Sequence, residues 1–136
     1  MADSFRIGEL ARRSGRSIHT IRWYEAQGLM PGVMRDRGRR RLYNPEHVLW
    51  LDLVDRLRMT GMTIAEIRSY SLIMRQGRGA RSRLREVLFA HAERTRERIE
   101  QQRSALKFIE RKIAFYETWN ATGTRPDIPM PPKSRR

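Results

Sequence analysis

The 136-residue chain contains no cysteine. This absence excludes disulfide bonds, thiolate metal ligands and sensing through thiol oxidation. The sequence has no run of about 18 apolar residues, which a membrane-spanning helix requires. Its first residues also lack the pattern of a secretory signal peptide. We therefore expect a cytoplasmic protein that does not associate with membranes and needs no metal or other cofactor.

Acidic residues are scarce relative to basic ones. The sequence has 29 Lys and Arg against 15 Asp and Glu, a formal net charge of +14. Like charges repel in a compact chain, so such an excess usually serves the binding of a polyanion. Nucleic acid is the first candidate and an anionic membrane the second. Acidic residues interleaved along the basic helices disfavour the membrane.

Two short helical segments lie near the N-terminus. Residues 8–15 predict a helix that ends at Gly15, and residues 17–27 predict a second helix that begins at Ser17 as N-cap. Gly28 ends the second helix. Two short helices joined by a glycine-containing turn are typical of a helix-turn-helix, although a plain helical hairpin has a similar pattern.

An arginine-rich segment follows at residues 30–43. Five arginines fall between positions 35 and 41, with apolar residues on both sides. The pattern predicts a β-hairpin with "RDRGRR" as its tip and Gly38 in the turn. A solvated loop is the alternative. A basic hairpin directly after a helix-turn-helix is a wing, placed to lie against phosphates.

Two apolar helices and one long helix complete the chain. Asn44 caps the first, and Thr63 with Glu66 forms a capping box for the second. From about 80 to 119 no Pro or Gly interrupts a helix of about 60 Å at ~1.5 Å per residue. Its apolar positions step by alternating 4 and 3, which favours pairing with a second copy over a solvated helix. This seam comprises Leu88, Ala92, Thr95, Ile99, Gln102, Leu106, Ile109, Ile113 and Tyr116.

In this order of elements the sequence resembles the MerR family of bacterial transcriptional regulators. The resemblance rests on "IGELARRSG" at 7–15, "TIRWYEAQGLMPG" at 20–32, "RRRLYNPEHV" at 39–48 and "LRMTGMTIAEI" at 57–67. The family often has Gly-Tyr before the wing arginine, where this chain has Arg39 and Arg40.

The resemblance implies a mainly α fold in three parts. Residues 1–79 would form a winged helix-turn-helix DNA-binding domain with a small β-wing. Residues 80–119 would form an antiparallel coiled coil in a homodimer, and residues 120–136 a flexible, basic, Pro-rich tail. The dimer would bind a palindromic operator inside an overlong promoter spacer, and would bend and untwist that DNA for RNA polymerase.

The resemblance also implies the DNA contacts. Residues 17–27 would be the recognition helix, with Tyr24 toward phosphate. Arginine can bond to two acceptors of guanine, whereas tyrosine and backbone N–H groups suit phosphate. We expect Trp23 to pack in the core, whereas core packing is the alternative role for Tyr24. An ion pair with Glu25 or Glu9 is the alternative for Arg22. The candidate DNA-binding residues are Ser17, His19, Thr20, Arg22, Tyr24, Arg35, Arg39, Arg40, Arg41, Tyr43 and Arg58.

Other functions stay open at this stage. No nucleophile–base pair, glycine-rich phosphate loop or metal cluster predicts an enzyme. A DNA-architectural or recombination-accessory protein with a similar winged helix-turn-helix domain is one alternative, and a coiled-coil scaffold is another. If an effector exists, we expect a small organic molecule that binds near the junction of the DNA-binding domain and the coiled-coil helix. The residues to watch there are Tyr70, Met74, Tyr116 and Trp119, for which core packing or dimer contact is the alternative role.

Overall fold

The structure is a computed structural model that describes residues 3–127. It confirms the expected mainly helical class, with a small two-stranded wing and a long C-terminal helix. None of the helices within the described residues has the length and apolar content needed to cross a bilayer. The elements are α1 (Ile7–Ser14), α2 (Ile18–Ala26), β1 (Met34–Arg35), β2 (Arg41–Leu42), α3 (Pro45–Met59), α4 (Ile64–Met74) and α5 (Ala80–Thr122).

The chain forms two compact units that divide within α5. The first is Met1–Thr95 and the second is Arg96–Arg136. The division falls after the predicted boundary at residue 79, because Leu84, Val87 and Leu88 of α5 pack against the core of the first unit. The assignment of DNA binding and dimerisation to separate parts of the chain stays a prediction.

The C-terminal end of α5 also differs from the expectation. The helix continues to Thr122 rather than residue 119, and Gly123 follows with a φ of 71°. The backbone N–H of Gly123 donates to the carbonyl of Trp119 at 2.8 Å. Of the predicted tail, residues 128–136 lie outside the described residues.

The predicted helix caps are present. Ser17 Oγ accepts from the backbone N–H of Thr20 at 3.1 Å. Asn44 Oδ1 accepts from the N–H of His47, while His47 Nδ1 accepts from the N–H of Asn44. Thr63 and Glu66 form the expected capping box. Each cap satisfies backbone donors that the first turn leaves unpaired, so the sequence itself sets where these helices begin.

The core of the first unit lies between α1, α2, α3 and α4. Its fully buried side chains include Leu10, Ile21, Leu51 and Ile67, and the ring of Trp50 stacks on that of Tyr70 at 5.8 Å. Two backbone hydrogen bonds of 2.9 Å join Phe5 to Tyr43, which ties the N-terminal segment to the end of β2. The core therefore holds the base of the wing in place.

The hairpin turn lies where the sequence predicts it. β1 and β2 pair antiparallel, with Met34 opposite Leu42 and Arg35 opposite Arg41. The N–H of Arg39 donates to the carbonyl of Asp36 at 3.0 Å, so Arg37 and Gly38 are the central residues of the turn. The left-handed residue is Arg39, with a φ of 62°. A side chain at positive φ is unfavourable, so the wing tip carries local strain at Arg39.

A polar network fixes α2 against α3. Arg16, in the turn between α1 and α2, donates through Nε to Asp55 Oδ2 at 2.6 Å and through Nη2 to Asp52 at 3.2 Å. The hydroxyl of Tyr24 donates to Asp55 Oδ1 at 2.6 Å. Burial raises the pKa of Asp55, but the hydrogen bonds from Tyr24 and Arg16 outweigh it and leave the pKa below 3.8. Asp55 thus joins the turn, the recognition helix and α3.

We predict that Asp55→Asn lowers the free energy of unfolding by about 1–2 kcal/mol at pH 7, because it removes the charge that accepts both bonds. Asp52→Asn is the control and should cost less, since Asp52 does not contact Tyr24. The contribution of Asp55 is present above pH 3.8 and is lost as pH falls through its lowered pKa. Urea unfolding from pH 7 to 3 measures this. A wild-type advantage that did not decrease between pH 7 and pH 3 would contradict it.

Candidate nucleic-acid interface

The outer face of α2 carries the side chains that can reach a DNA groove. His19, Arg22 and Trp23 are exposed, while Ile21 and Tyr24 of the same helix are buried. Residues three and four apart share one face of a helix, so His19, Arg22 and Trp23 form one continuous surface. Arginine and histidine donors on such a face can bond to base edges in a major groove.

Ser17 and Thr20 lie at the start of α2. Ser17 Oγ donates to Thr20 Oγ1 at 2.9 Å and accepts from the Thr20 backbone N–H. The Thr20 hydroxyl keeps its own hydrogen for another acceptor. A helix start combines free N–H groups with the positive end of the helix dipole, so this end of α2 suits a phosphate.

The expected roles of Trp23 and Tyr24 are reversed. Tyr24 was expected toward phosphate, but only 3% of it is exposed, and its hydroxyl lies between Asp55 and Arg58. Burial, followed by the bond to Asp55, raises its pKa, so the hydroxyl stays protonated. Trp23 is instead 39% exposed. The exposure of Trp23 could have been predicted from its spacing of four residues from His19, which places both side chains on one face of α2.

Tyr43 is a second correction. It was expected to contact the DNA backbone from the wing, but it is 1% exposed and its hydroxyl donates to Glu25 Oε1 at 2.8 Å. Burial and then this bond raise the pKa of Tyr43 well above its ordinary value. Glu25 Oε2 also pairs with Arg41 Nε at 2.5 Å. Tyr43 therefore fastens the wing to α2 instead of facing outward.

Arginines from α2 and the wing converge on one cleft. A cavity of about 390 Å³ between α2 and the hairpin is lined by Arg22, Arg35, Arg41 and Glu25. A neighbouring cavity of about 300 Å³ adds Arg39 and Arg40. Because these side chains line open cavities, their guanidinium groups present donors that match phosphate and guanine acceptors.

Some of the arginines near the cleft form ion pairs within the protein, and others do not. Arg41 pairs with Glu25, whereas Glu9 pairs with Arg12 and Arg13. Within residues 3–127 Arg22 forms neither of the ion pairs considered as its alternative. The hydrogen bonds from Arg12 and Arg13 lower the pKa of Glu9 to about 2, so this group remains charged and occupied.

The hairpin tip is held by its own contacts. Arg6 pairs with Asp36, and Arg35 Nη1 donates to the carbonyl of Arg39 at 2.8 Å. Asp36 Oδ1 accepts from the N–H of Arg40 at 2.9 Å. The bond from Arg6 and then that from Arg40 lower the pKa of Asp36. Arg6 is a residue that sequence reasoning missed, since nothing local links it to a position 30 residues away.

Arg58 lies beside the recognition helix. Its guanidinium carbon is 5.2 Å from the ring centre of Trp23, and its Nη1 donates to the Tyr24 hydroxyl at 3.3 Å. The side chain is exposed at the C-terminal end of α3. Arg58 thus places a positive charge next to the outer face of α2. This position is compatible with the DNA contact predicted for Arg58.

The four candidate effector residues fall in different units. Tyr70 is buried on Trp50, and Met74 lines a cleft of about 320 Å³ with Trp50 and Arg75. Tyr116 and Trp119 stack on each other at 6.4 Å in the second unit. Within the described part of the chain, no group of three or more histidine and carboxylate side chains is arranged to hold a metal.

The chain is similar to known DNA-binding regulators. The profile of the MerR HTH family regulatory protein matches residues 5–71. A Haemophilus influenzae protein named HTH-type transcriptional regulator ZntR homolog is 33% identical over 94 residues, which are 69% of this chain and 70% of that protein. The mercuric resistance operon regulatory protein of Bacillus cereus is 41% identical over 63 residues, 46% and 48% of the two chains.

A solved structure shows the same likeness in three dimensions. It is HiNmlR, described as a MerR family regulator that lacks the sensor domain, bound to promoter DNA. It is 25% identical, covers 90% of this chain and 97% of its own, and superposes with a TM-score of 0.74. The match extends beyond the region of the family profile, so it includes most of α5.

The reversed aromatic pair generates a prediction. We expect Trp23→Ala to weaken DNA binding by about fivefold, the loss of about 1 kcal/mol of apolar contact in the groove. It should leave the melting temperature nearly unchanged, because half-exposed Trp23 adds little to the core. Tyr24→Phe should lower the melting temperature and leave the salt dependence of DNA binding unaltered. Fluorescence anisotropy and thermal unfolding of both variants measure this; the opposite pattern would restore the original assignment.

Proposed function

The chain belongs to the MerR family of helix-turn-helix transcriptional regulators, and we propose that two copies of it bind a two-fold symmetric operator in promoter DNA. The observation that carries the proposal is the cleft between α2 and the wing, where Arg22, Arg35 and Arg41 converge. The promoter-DNA complex of the solved neighbour supports it. This family membership does not favour the recombination-accessory or scaffold alternatives.

We assign the contacts according to exposure. His19, Arg22 and Trp23 would read base edges in the major groove, while Ser17 and Thr20 would hold a phosphate at the start of α2. Arg35, Arg39, Arg40 and Arg41 would contact the sugar–phosphate backbone from the wing, and Arg58 would do so beside Trp23. Tyr24 and Tyr43 would position α2 and the wing from within the core.

A homodimer follows from the unpaired face of α5. Ile99, Leu106, Ile109, Ile113 and Tyr116 are each about half exposed in the single chain. These residues continue the heptad seam, and burying them against a second copy would remove that apolar surface from water. We propose that two α5 helices pair antiparallel, which sets the distance between the two heads.

The proposed regulatory step is a distortion of the promoter. Bending or untwisting DNA costs several kcal/mol, which contacts by both heads can recover. A dimer on an operator inside an overlong spacer would thereby bring both promoter boxes to one face for RNA polymerase. An organic effector would act through the cleft at Met74 or the aromatic pair Tyr116 and Trp119.

In vitro selection from random duplexes tests the proposal. The wild-type chain should enrich one inverted repeat whose half-sites have a fixed spacing, because a symmetric dimer reads the same half-site twice. Enrichment of an unpaired half-site would contradict the dimeric arrangement. Recovery of random sequence at low salt would contradict sequence-specific binding itself.

Two arginines should differ in what they contribute. Arg22→Ala should weaken operator binding more than binding to random DNA, because a base contact discriminates by about 1–3 kcal/mol. Arg40→Ala should weaken both alike and flatten the slope of log K against log salt by about two, one phosphate from each subunit. Titrations over a range of salt concentrations measure both effects. Equal losses from Arg22→Ala on both DNAs would make Arg22 a backbone contact.

The seam offers a matched pair of variants. Ile109→Glu should convert the dimer to monomers, because it places a charge in the proposed interface. Phe108→Glu is the control: Phe108 is 69% exposed and lies off the seam, so the variant should stay dimeric. Sedimentation analysis measures the mass of each. A dimeric Ile109→Glu protein, or a monomeric wild type, would remove α5 as the interface.

A further inference from the structure

A second cationic surface lies away from α2 and the wing. The 19 residues between Glu66 and Glu86 contain six arginines and no acidic residue. Three of these arginines lie at the turn from α4 to α5 and on the first turns of α5. We call Arg78, Arg81 and Arg85 the junction arginines. All three are exposed, and within residues 3–127 none of them forms an ion pair.

The geometry of α5 brings two of these side chains to one side of the helix. Arg81 and Arg85 are one helical turn apart, and Arg78 precedes them in the turn bounded by Gly77 and Gly79. Phe89, one further turn along the same side, lies 5.6 Å from the guanidinium of Arg85 and restrains it. Arg83 is about 200° around the helix from Arg81 and projects from the other side.

Arg75 connects the base of the wing to the segment that carries the junction arginines. It lies at the end of α4 and lines the cleft of about 320 Å³ together with Pro31 and Gly32, which lead from α2 into the hairpin. Glu46 lines the same cleft. The junction arginines follow Arg75 along the chain, and no acidic residue lies between Arg75 and Arg85.

We propose that the junction arginines bind the phosphate backbone of DNA that flanks the operator. The inference rests on the proposed function, since it needs the head to be on DNA already. The guanidinium group of arginine can form two parallel hydrogen bonds to a phosphate. DNA that is already bound by the wing supplies phosphates at high local concentration. An interface for an acidic protein would be expected to have an apolar centre. Here the guanidinium of Arg85 lies 5.6 Å from the ring centre of Phe89, so this apolar side chain has a cation beside it.

Flanking contacts would also serve the bending of the operator. A bend that brings the outer DNA toward the protein gains phosphate contacts, and these offset part of the cost of deformation. The junction arginines would therefore bind only when the duplex extends beyond the half-sites. This dependence on DNA length separates them from Arg22 and the wing arginines, which act within the half-site.

The test uses the full-length dimer and two duplexes. One duplex holds the selected operator alone, and the other adds about ten base pairs, one helical turn, on each side. The triple variant Arg78→Gln, Arg81→Gln, Arg85→Gln should keep the wild-type affinity and salt slope on the short duplex. On the extended duplex it should flatten the slope by up to about five, for three phosphates on each of two subunits.

Single variants supply the matched control. Arg85→Gln should flatten the slope on the extended duplex by about two, whereas Arg83→Gln, with the same loss of charge on the same helix, should leave it unchanged. Equal effects of the two variants would overturn the proposal in favour of general attraction. A wild-type slope for the triple variant on the extended duplex would also overturn it and leave an acidic protein as the partner.

Two further results would overturn the proposal for different reasons. If the triple variant sediments as a monomer, the junction arginines contact the second copy of the chain and not DNA. If the wild-type chain selects no operator, the proposed function itself fails. A wild type that selects an operator but gains nothing from flanking DNA refutes only this inference.

Discussion

The carboxylate of Glu25 is the contact on which the DNA-binding face depends. One oxygen accepts from the hydroxyl of Tyr43 and the other pairs with Nε of Arg41, so α2 and β2 are joined at a single side chain. Glu25 is only 13% exposed, and water competes weakly for it. The core holds the base of the wing, and the side chain of Glu25 adds a direct connection between α2 and the strand that carries Arg41. The wing and the recognition helix form one surface because an acidic residue lies beneath it.

Other polar contacts of the first unit also fix the positions of α2 and the wing. Asp55 holds Tyr24 and Arg16, and so fixes the rotation of α2 about its own axis. Arg6 pins Asp36 at the hairpin tip. Glu25, Asp36 and Asp55 each connect two segments of the chain. The positions of the arginines around α2 and the wing are thus set in part by these three carboxylates.

Local patterns predicted most of the fold. Caps at Ser17, Asn44 and Thr63 are chemical signals within four residues, and the seam of α5 is a period that the sequence shows directly. Tyr24 and Tyr43 could not be placed in this way, because their burial depends on Asp55 and Glu25, which are 31 and 18 residues distant. The composition of residues 35–41 predicted the hairpin turn around Gly38. The positive φ of Arg39 has no local signal of this kind, because arginine rarely adopts that conformation.

Hydroxyl-radical footprinting of the wild-type chain on a selected operator tests the central claim most directly. Two identical cationic faces tied together by α5 should protect two patches of backbone related by a two-fold axis, on the same side of the duplex. The DNA between the patches should be hyper-reactive where it is distorted. A single continuous patch, or two patches without two-fold symmetry, would contradict the account.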